Sequence, residues 1–237
     1  MAFSRAVAPA APPGADDLTA AMVGIGMNFA ATAAAEPNIE DTLLFASIEA
    51  MDRDNLRVLA VLVTWFGVHA PWVNADRLTK LVSDNKSSRV KALWSALARW
   101  QSGDRRFARL AKVYSGQPVD LLAAGTEFQI KRHGQDPRFA ASSLRVPGNV
   151  LRDRGADVLA PEELAKRHHA YHRRVMFGPS YRADMWSVLE MVPSLSAAEL
   201  ARKTYGSFAT AWHVRRDFKL LFSAGQLSGR RPPRARR

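Results

Sequence analysis

Cysteine is absent from all 237 residues, which excludes disulfide staples, thiol nucleophiles and thiolate-bound zinc. Membrane-length apolar runs are missing too. The densest stretch, Asp54 to Gly67, has helical length but is interrupted by Arg57, so it is expected to be a buried core helix rather than a membrane span. There is no Gly-x-x-x-x-Gly-Lys-Ser/Thr loop and no Gly-x-Ser-x-Gly elbow, and Gly24-Ile25-Gly26 lacks the flanking strand and third glycine of a dinucleotide fold. Acids are few, 22 against 34 lysines and arginines. Asp52, Asp54, Asp104 and Asp136 would form a carboxylate constellation only if the fold gathered them. No residue offers itself as nucleophile or base, so the chain is read as a non-enzyme without cofactor or metal.

The positive charge is unevenly spread. One basic and six acidic side chains fall in the first 50 residues, and 33 basic and 16 acidic ones in the remaining 187. Basic charge concentrated in one part of a chain is the electrostatic footprint of a phosphate-binding protein. The competing explanation is an arginine-rich proteome, since composition alone speaks only to non-specific attraction.

The segment Leu195 to Phe218 carries the sharpest local signal. Ser196 and Glu199 have capping-box spacing, so a short helix should begin there and bury Leu200 and Ala201. A turn is expected at Tyr205-Gly206, after which Ser207 caps a second helix. Its inner face is assigned to Phe208, Ala211, either Val214 or the stem of Arg215, and Phe218, and its outer face to Thr210, His213, Arg216 and Lys219. Upstream, Tyr181 to Val192 supplies a third helix, with Met185, Val188, Leu189 and Val192 on one side and Pro193 as its end.

Glu199-Leu200-Ala201-Arg202 followed by Ser207-Phe208-Ala209-Thr210 resembles, without a gap, the helix-turn-helix of winged-helix regulators of the MarR type. That pattern extends from Tyr181 to Leu221. It departs in the turn, where such families place glycine first and an aliphatic residue second, whereas here Tyr205 precedes Gly206. The resemblance implies a recognition helix in the major groove, with Thr210 and His213 on base edges, Arg215, Arg216 and Lys219 on phosphate, and Ser207 at the helix start. The tail from Gln226 carries five arginines, two prolines and no acid. Its Arg230 and Arg231 are assigned to the DNA as part of a disordered arm.

A second unit of the same order is expected in the first half. The helix of Asp54 to Gly67 is followed by one capped at Asn74, and then by an amphipathic helix capped at Ser87 or Ser88. In that last helix Val90, Leu93, Trp94, Leu97 and either Ala98 or Trp100 face inward, while Arg89, Lys91, Ser95 and Arg99 point away. Glycines and prolines punctuate residues 101–160, where Thr126 to Lys131 and Ser143 to Val146 alternate like strands. Pro161 to Arg174 should form a linking helix. His168 and His172 have the i, i+4 spacing of a metal pair, but they lie among Lys166, Arg167, Arg173 and Arg174 without the His-Glu-x-x-His pattern, which favours a solvated basic helix.

The expected architecture is therefore mainly α with a small antiparallel β element: two winged-helix-like modules joined by a linker helix. Its parts are a disordered leader (1–37), an N-terminal module (38–115), short strands and turns (116–160), a helix-turn-helix module (161–225) and a basic tail (226–237). Asp16-Asp17 stand where a signal peptide needs positive charge, so a cytoplasmic protein with no membrane partner is expected. The expected function is a transcriptional regulator of double-stranded DNA, dimeric if its site is palindromic. A protein-interaction module competes with that reading, for instance an antitoxin that regulates its own operon and binds a toxin. So does an RNA-binding accessory protein.

Overall fold

Asparagine and serine side chains open the principal helices. In the computed structural model, which describes residues 11–140 and 142–223, α1 (Ala15–Gly24) is followed by α2 (Ile39–Asp52), α3 (Leu56–His69), α4 (Ala75–Asp84) and α5 (Ser88–Trp100). Asn38, Asn55, Asn74 and Ser87 each accept the backbone N–H three residues on, at 3.1 to 3.3 Å, satisfying donors that a helix start leaves unpaired.

Every residue from Val58 to Phe66 is buried, as a helix apolar on all sides requires. The rest of the core assembles around α3. Trp65 Nε1 donates to the Ile25 carbonyl at 2.7 Å and Trp94 Nε1 to Ser47 Oγ at 2.9 Å, while Phe66 meets Trp94 and Phe107 edge-on at 5.3 Å. One apolar core runs from Leu18 to Tyr171. Residues 38–115 share this core with residues before and after them. Part of the expected leader belongs to this core as well, because Leu18, Met22, Ile25 and Met27 are buried in it. Residues 1–10 lie outside the described residues. On α5, Ala98 rather than Trp100 completes the inner face, and Ser95 is buried instead of pointing away, its hydroxyl donating to the Ala111 carbonyl at 2.7 Å.

The expected antiparallel element is corrected. β1 (Val119–Asp120) pairs in parallel with β2 (Leu144–Arg145), and Arg145 ties the two strands by bonds to Asp120 at 2.6 and 2.9 Å. The stretch expected as a strand from Thr126 is α6 (Thr126–His133). Gly125 and Gly134, both at positive φ, bound it. Glu127 sits in its first turn and Lys131, Arg132 and His133 in its last, the charge order that a helix dipole favours. Phe128 is 63% exposed, so the alternation that suggested a strand has no buried face to serve.

The expected linking helix is broken in two, α7 (Pro161–Arg167) and α8 (His169–Phe177). His168 between them is extended and buried. Its Nδ1 accepts the Tyr171 N–H, its Nε2 donates to the Pro37 carbonyl at 2.9 Å, and the Glu36 carboxylate accepts from the N–H groups of His169 and Ala170. These bonds cap a helix start inside the expected helix. They also correct the solvated reading at two positions, because His168 and Arg174 are buried, while Lys166, Arg167 and His172 are exposed as expected.

Three further helices, α9 (Tyr181–Met191), α10 (Ala197–Lys203) and α11 (Phe208–Ser223), complete the described chain. They enclose a second core of Met185, Leu189, Ala197, Leu200, Ala211, Val214 and Phe218. A buried ion network joins this unit to the larger body. Arg174 on α8 binds Glu40 of α2 at 2.6 and 2.9 Å and Asp184 of α9 at 2.7 and 2.9 Å. Arg77 of α4 stands 3.7 Å from Glu40 and 2.5 Å from Asp41. Glu40 also accepts the Asn74 N–H at 2.9 Å. Burial alone would raise the Glu40 pKa, but Arg174 and Arg77 hold it below the ordinary carboxylate value. At Asp184 burial wins, and its pKa is pushed up despite Arg174. No helix among the described residues is long and apolar enough to cross a membrane.

Candidate nucleic-acid interface

The three-helix unit is built from local signals that the chain states plainly. Ser180 caps α9, and Ser196 and Glu199 form the expected reciprocal capping box at α10, with bonds of 3.2 and 2.8 Å. At the end of α10 the Tyr205 N–H reaches the Arg202 carbonyl at 3.4 Å and the Gly206 N–H reaches the Ala201 carbonyl at 3.0 Å. This is the paired bonding of a Schellman turn. The left-handed residue in it is Tyr205, at φ +55°, in the position where the resembling families carry glycine. For an L residue that conformation costs roughly 1–2 kcal/mol. The Tyr205 side chain recovers it against the body: its ring lies under the Arg77 guanidinium at 4.0 Å, and its hydroxyl donates to Asp41.

Gly206 has a different role. A Cβ there would stand 2.0 Å from Met185 Cε, so glycine lets α9 approach the turn. Met185 ends in a flexible thioether that can swing aside, and Gly206→Ala is therefore expected to cost about 1 kcal/mol, at the low end for overpacking. Chemical denaturation of the variant checks it. A loss above about 3 kcal/mol would mean that Met185 cannot yield.

Along α11 the expected site residues divide into braces and exposed groups. Ser207 Oγ accepts the Thr210 N–H at 3.0 Å and is bonded to Thr210 Oγ1 at 2.7 Å, so both hydroxyls belong to the cap. Arg215 Nε donates to the Leu195 carbonyl at 2.7 Å and braces the connection before α10. His213, Arg216 and Lys219 are exposed. Arg216 binds the neighbouring Asp217 at 2.9 Å, and its guanidinium lies 5.6 Å from the centre of the Trp212 ring. Lys219 makes no ion pair among the described residues. Arg230 and Arg231 fall outside those residues.

Phe208 is a correction: it is 59% exposed, not part of the inner face. Its three-residue offset from Ala211 suggested otherwise. At roughly 100° per residue it lies about 120° around the helix from Val214, a signal the wheel contains once Val214 is taken as the centre of the stripe. Trp212, which no motif in the sequence singles out, is 49% exposed. Arg202 and Lys203 at the end of α10 are likewise exposed and form no ion pair among the described residues.

The other sequence candidates do not assemble. His168 is the buried cap of α8 and is bonded to Tyr171 and Pro37, while His172 within α8 is exposed and bonded to the Ala165 carbonyl at 3.2 Å. No group of three or more His, Asp or Glu side chains is placed to hold a metal among the described residues. Asp52, Asp54, Asp104 and Asp136 engage Ser87, Arg89, Arg106 and Arg138 respectively, each with a different partner. The chain matches no protein-family model, no curated protein and no solved structure.

Proposed function

We propose that the protein is a DNA-binding regulator that presents α11 to the major groove. The observation that carries this reading is a helix fixed on one side and cationic on the other. Ala211, Val214 and Phe218 are packed into the unit's own core, while His213, Arg216 and Lys219 stand exposed. A helix of about 10–12 Å diameter fits a major groove about 12 Å wide. The similarity of residues 181–221 to MarR-type helix-turn-helix segments and the net charge of +12 point the same way.

Electrophoretic mobility of the full chain with its own upstream region, against a random duplex of equal length at two salt concentrations, tests the proposal. Preference for the upstream fragment that survives higher salt is the expected result. Equal binding that disappears with salt would reduce the interaction to phosphate attraction, and competition by structured RNA would reassign it. Arg216→Ala is expected to weaken binding to all duplexes alike and to lower the salt slope by about one. An unchanged slope would remove Arg216 from the phosphate contact.

A protein-partner reading, such as an autoregulating antitoxin, has one specific observation in its favour. Val175, Met176 and Phe177 at the end of α8 are consecutive and 48%, 54% and 58% exposed, an apolar cluster of the kind that marks contact surfaces.

A further inference from the structure

Phe208 and Trp212 carry an inference that rests on the DNA-binding reading and names what α11 would read. The two residues are one turn apart on α11, and neither belongs to the unit's core. Arg216 lies over the Trp212 ring, and His213 meets that ring edge-on at 5.1 Å and 85°, so the indole stands between two side chains of its own helix. The polar groups nearby are committed elsewhere, because the Ser207 and Thr210 hydroxyls bond each other at 2.7 Å. The exposed methyl of Ala209 adds to the apolar surface. The first two turns of α11 therefore offer an apolar tip of Phe208, Ala209 and Trp212, with Arg216 and Lys219 behind it.

Apart from the indole N–H of Trp212, a tip of this composition presents no group that pairs with donors or acceptors. Among the features that base pairs present in the major groove, the apolar one is the C5 methyl of thymine. We propose that α11 discriminates DNA through thymine methyl groups, with Phe208 and Trp212 as the specificity-determining residues and Arg216 and Lys219 supplying attraction to phosphate that is independent of sequence.

The experiment compares binding of the full chain, by fluorescence anisotropy at two salt concentrations, to alternating poly(dA-dT) and poly(dA-dU) duplexes, which differ only in that methyl. The wild type is expected to bind the thymine duplex about tenfold more tightly. Phe208→Ala and Trp212→Ala should bring the ratio towards one with the salt slope retained, whereas Thr210→Val should keep the ratio. Alternating poly(dG-dC) with cytosine replaced by 5-methylcytosine carries the same methyl into a G·C pair, and tighter binding than to the unmethylated duplex is expected. Because the methyl is changed on the DNA, the comparison does not depend on how any variant folds. Equal binding of the thymine and uracil duplexes by the wild type, with an ordinary salt slope, overturns the methyl reading and leaves DNA binding intact. A methyl preference that persists in both alanine variants removes Phe208 and Trp212 from the role. Failure to bind any duplex at low salt overturns the DNA reading itself. Self-association abolished by Trp212→Ala in that case would assign the same face to a second copy of the chain.

Discussion

Arg174→Met is expected to destabilise the protein by about 3–5 kcal/mol, the range for removing one partner of a buried ion pair. Arg174 is 1% exposed and makes two-pronged bonds to both Glu40 and Asp184. Without it Glu40 keeps Arg77 at 3.7 Å and the Asn74 N–H, but Asp184 loses its only bonded cation among the described residues. Burial already pushes the Asp184 pKa up, so the orphaned group would take up a proton rather than remain charged. Against a total stability of about 5–15 kcal/mol, the loss is a large fraction of what holds the fold. Urea titration of Arg174→Met and of the double variant Arg174→Met/Asp184→Asn separates the causes. The double variant should recover part of the loss, because the orphaned charge has been removed with its partner. If both variants unfold at the wild-type midpoint, the network contributes little to stability.

Acid should unfold the protein through His69. The ring is buried and stacked on Trp65 at 4.6 Å. Its Nε2 donates to the Leu159 carbonyl at 3.0 Å and its Nδ1 accepts the Tyr171 hydroxyl at 2.7 Å, an arrangement that requires the neutral tautomer. Burial lowers its pKa from 6.5 to about 4. The unfolded chain therefore binds this proton over a range where the folded chain does not. The contribution is complete above pH 6.5 and is lost as pH falls through the window towards 4, a change of about 3 kcal/mol. His168, also buried and also lowered, adds loss in the same direction. His69→Gln can keep both hydrogen bonds through its amide without carrying a titrating proton. Unfolding free energies at several pH values between 7 and 4 should fall less steeply for the variant, and identical slopes for the two proteins would show that the acid loss originates elsewhere.

Local chemistry was legible in the sequence where one residue acts on its neighbours. The caps at Asn74, Ser87 and Ser196 and the turn at Tyr205-Gly206 need only the chain within three or four positions, and the structure places them as expected. The partners of Arg174 were not legible. Its neighbours in sequence are basic and polar, so it looks like part of a solvated face, while its carboxylates come from α2 and α9. Glu40 was hidden for the same reason, as an acid in the first turn of a helix. The expected strand at Thr126 failed because alternation over six residues does not say whether an inner face exists. Within the candidate site, the exposure of His213, Arg216 and Lys219 was anticipated by helical spacing. The commitment of Thr210 to a cap was not, since a hydroxyl three residues from Ser207 can equally face outward. Phe208 misled because large aromatic side chains are assigned inward by default, and its exposure follows from an angle around the helix rather than from its hydrophobicity.

The ion network also sets a timetable for synthesis. Glu40 and Arg174 are separated by 134 positions, so a ribosome elongating at about 5–20 residues per second takes roughly 7–27 s to supply the second after the first. During that interval α2 to α5 can collapse around α3, but Glu40 has only Arg77 to neutralise it, and Asp184, the acid that shares Arg174, emerges later still. The nascent body therefore carries an incompletely neutralised centre until α8 and α9 leave the ribosome, and closure of that centre coincides with arrival of the helices that carry the proposed recognition surface.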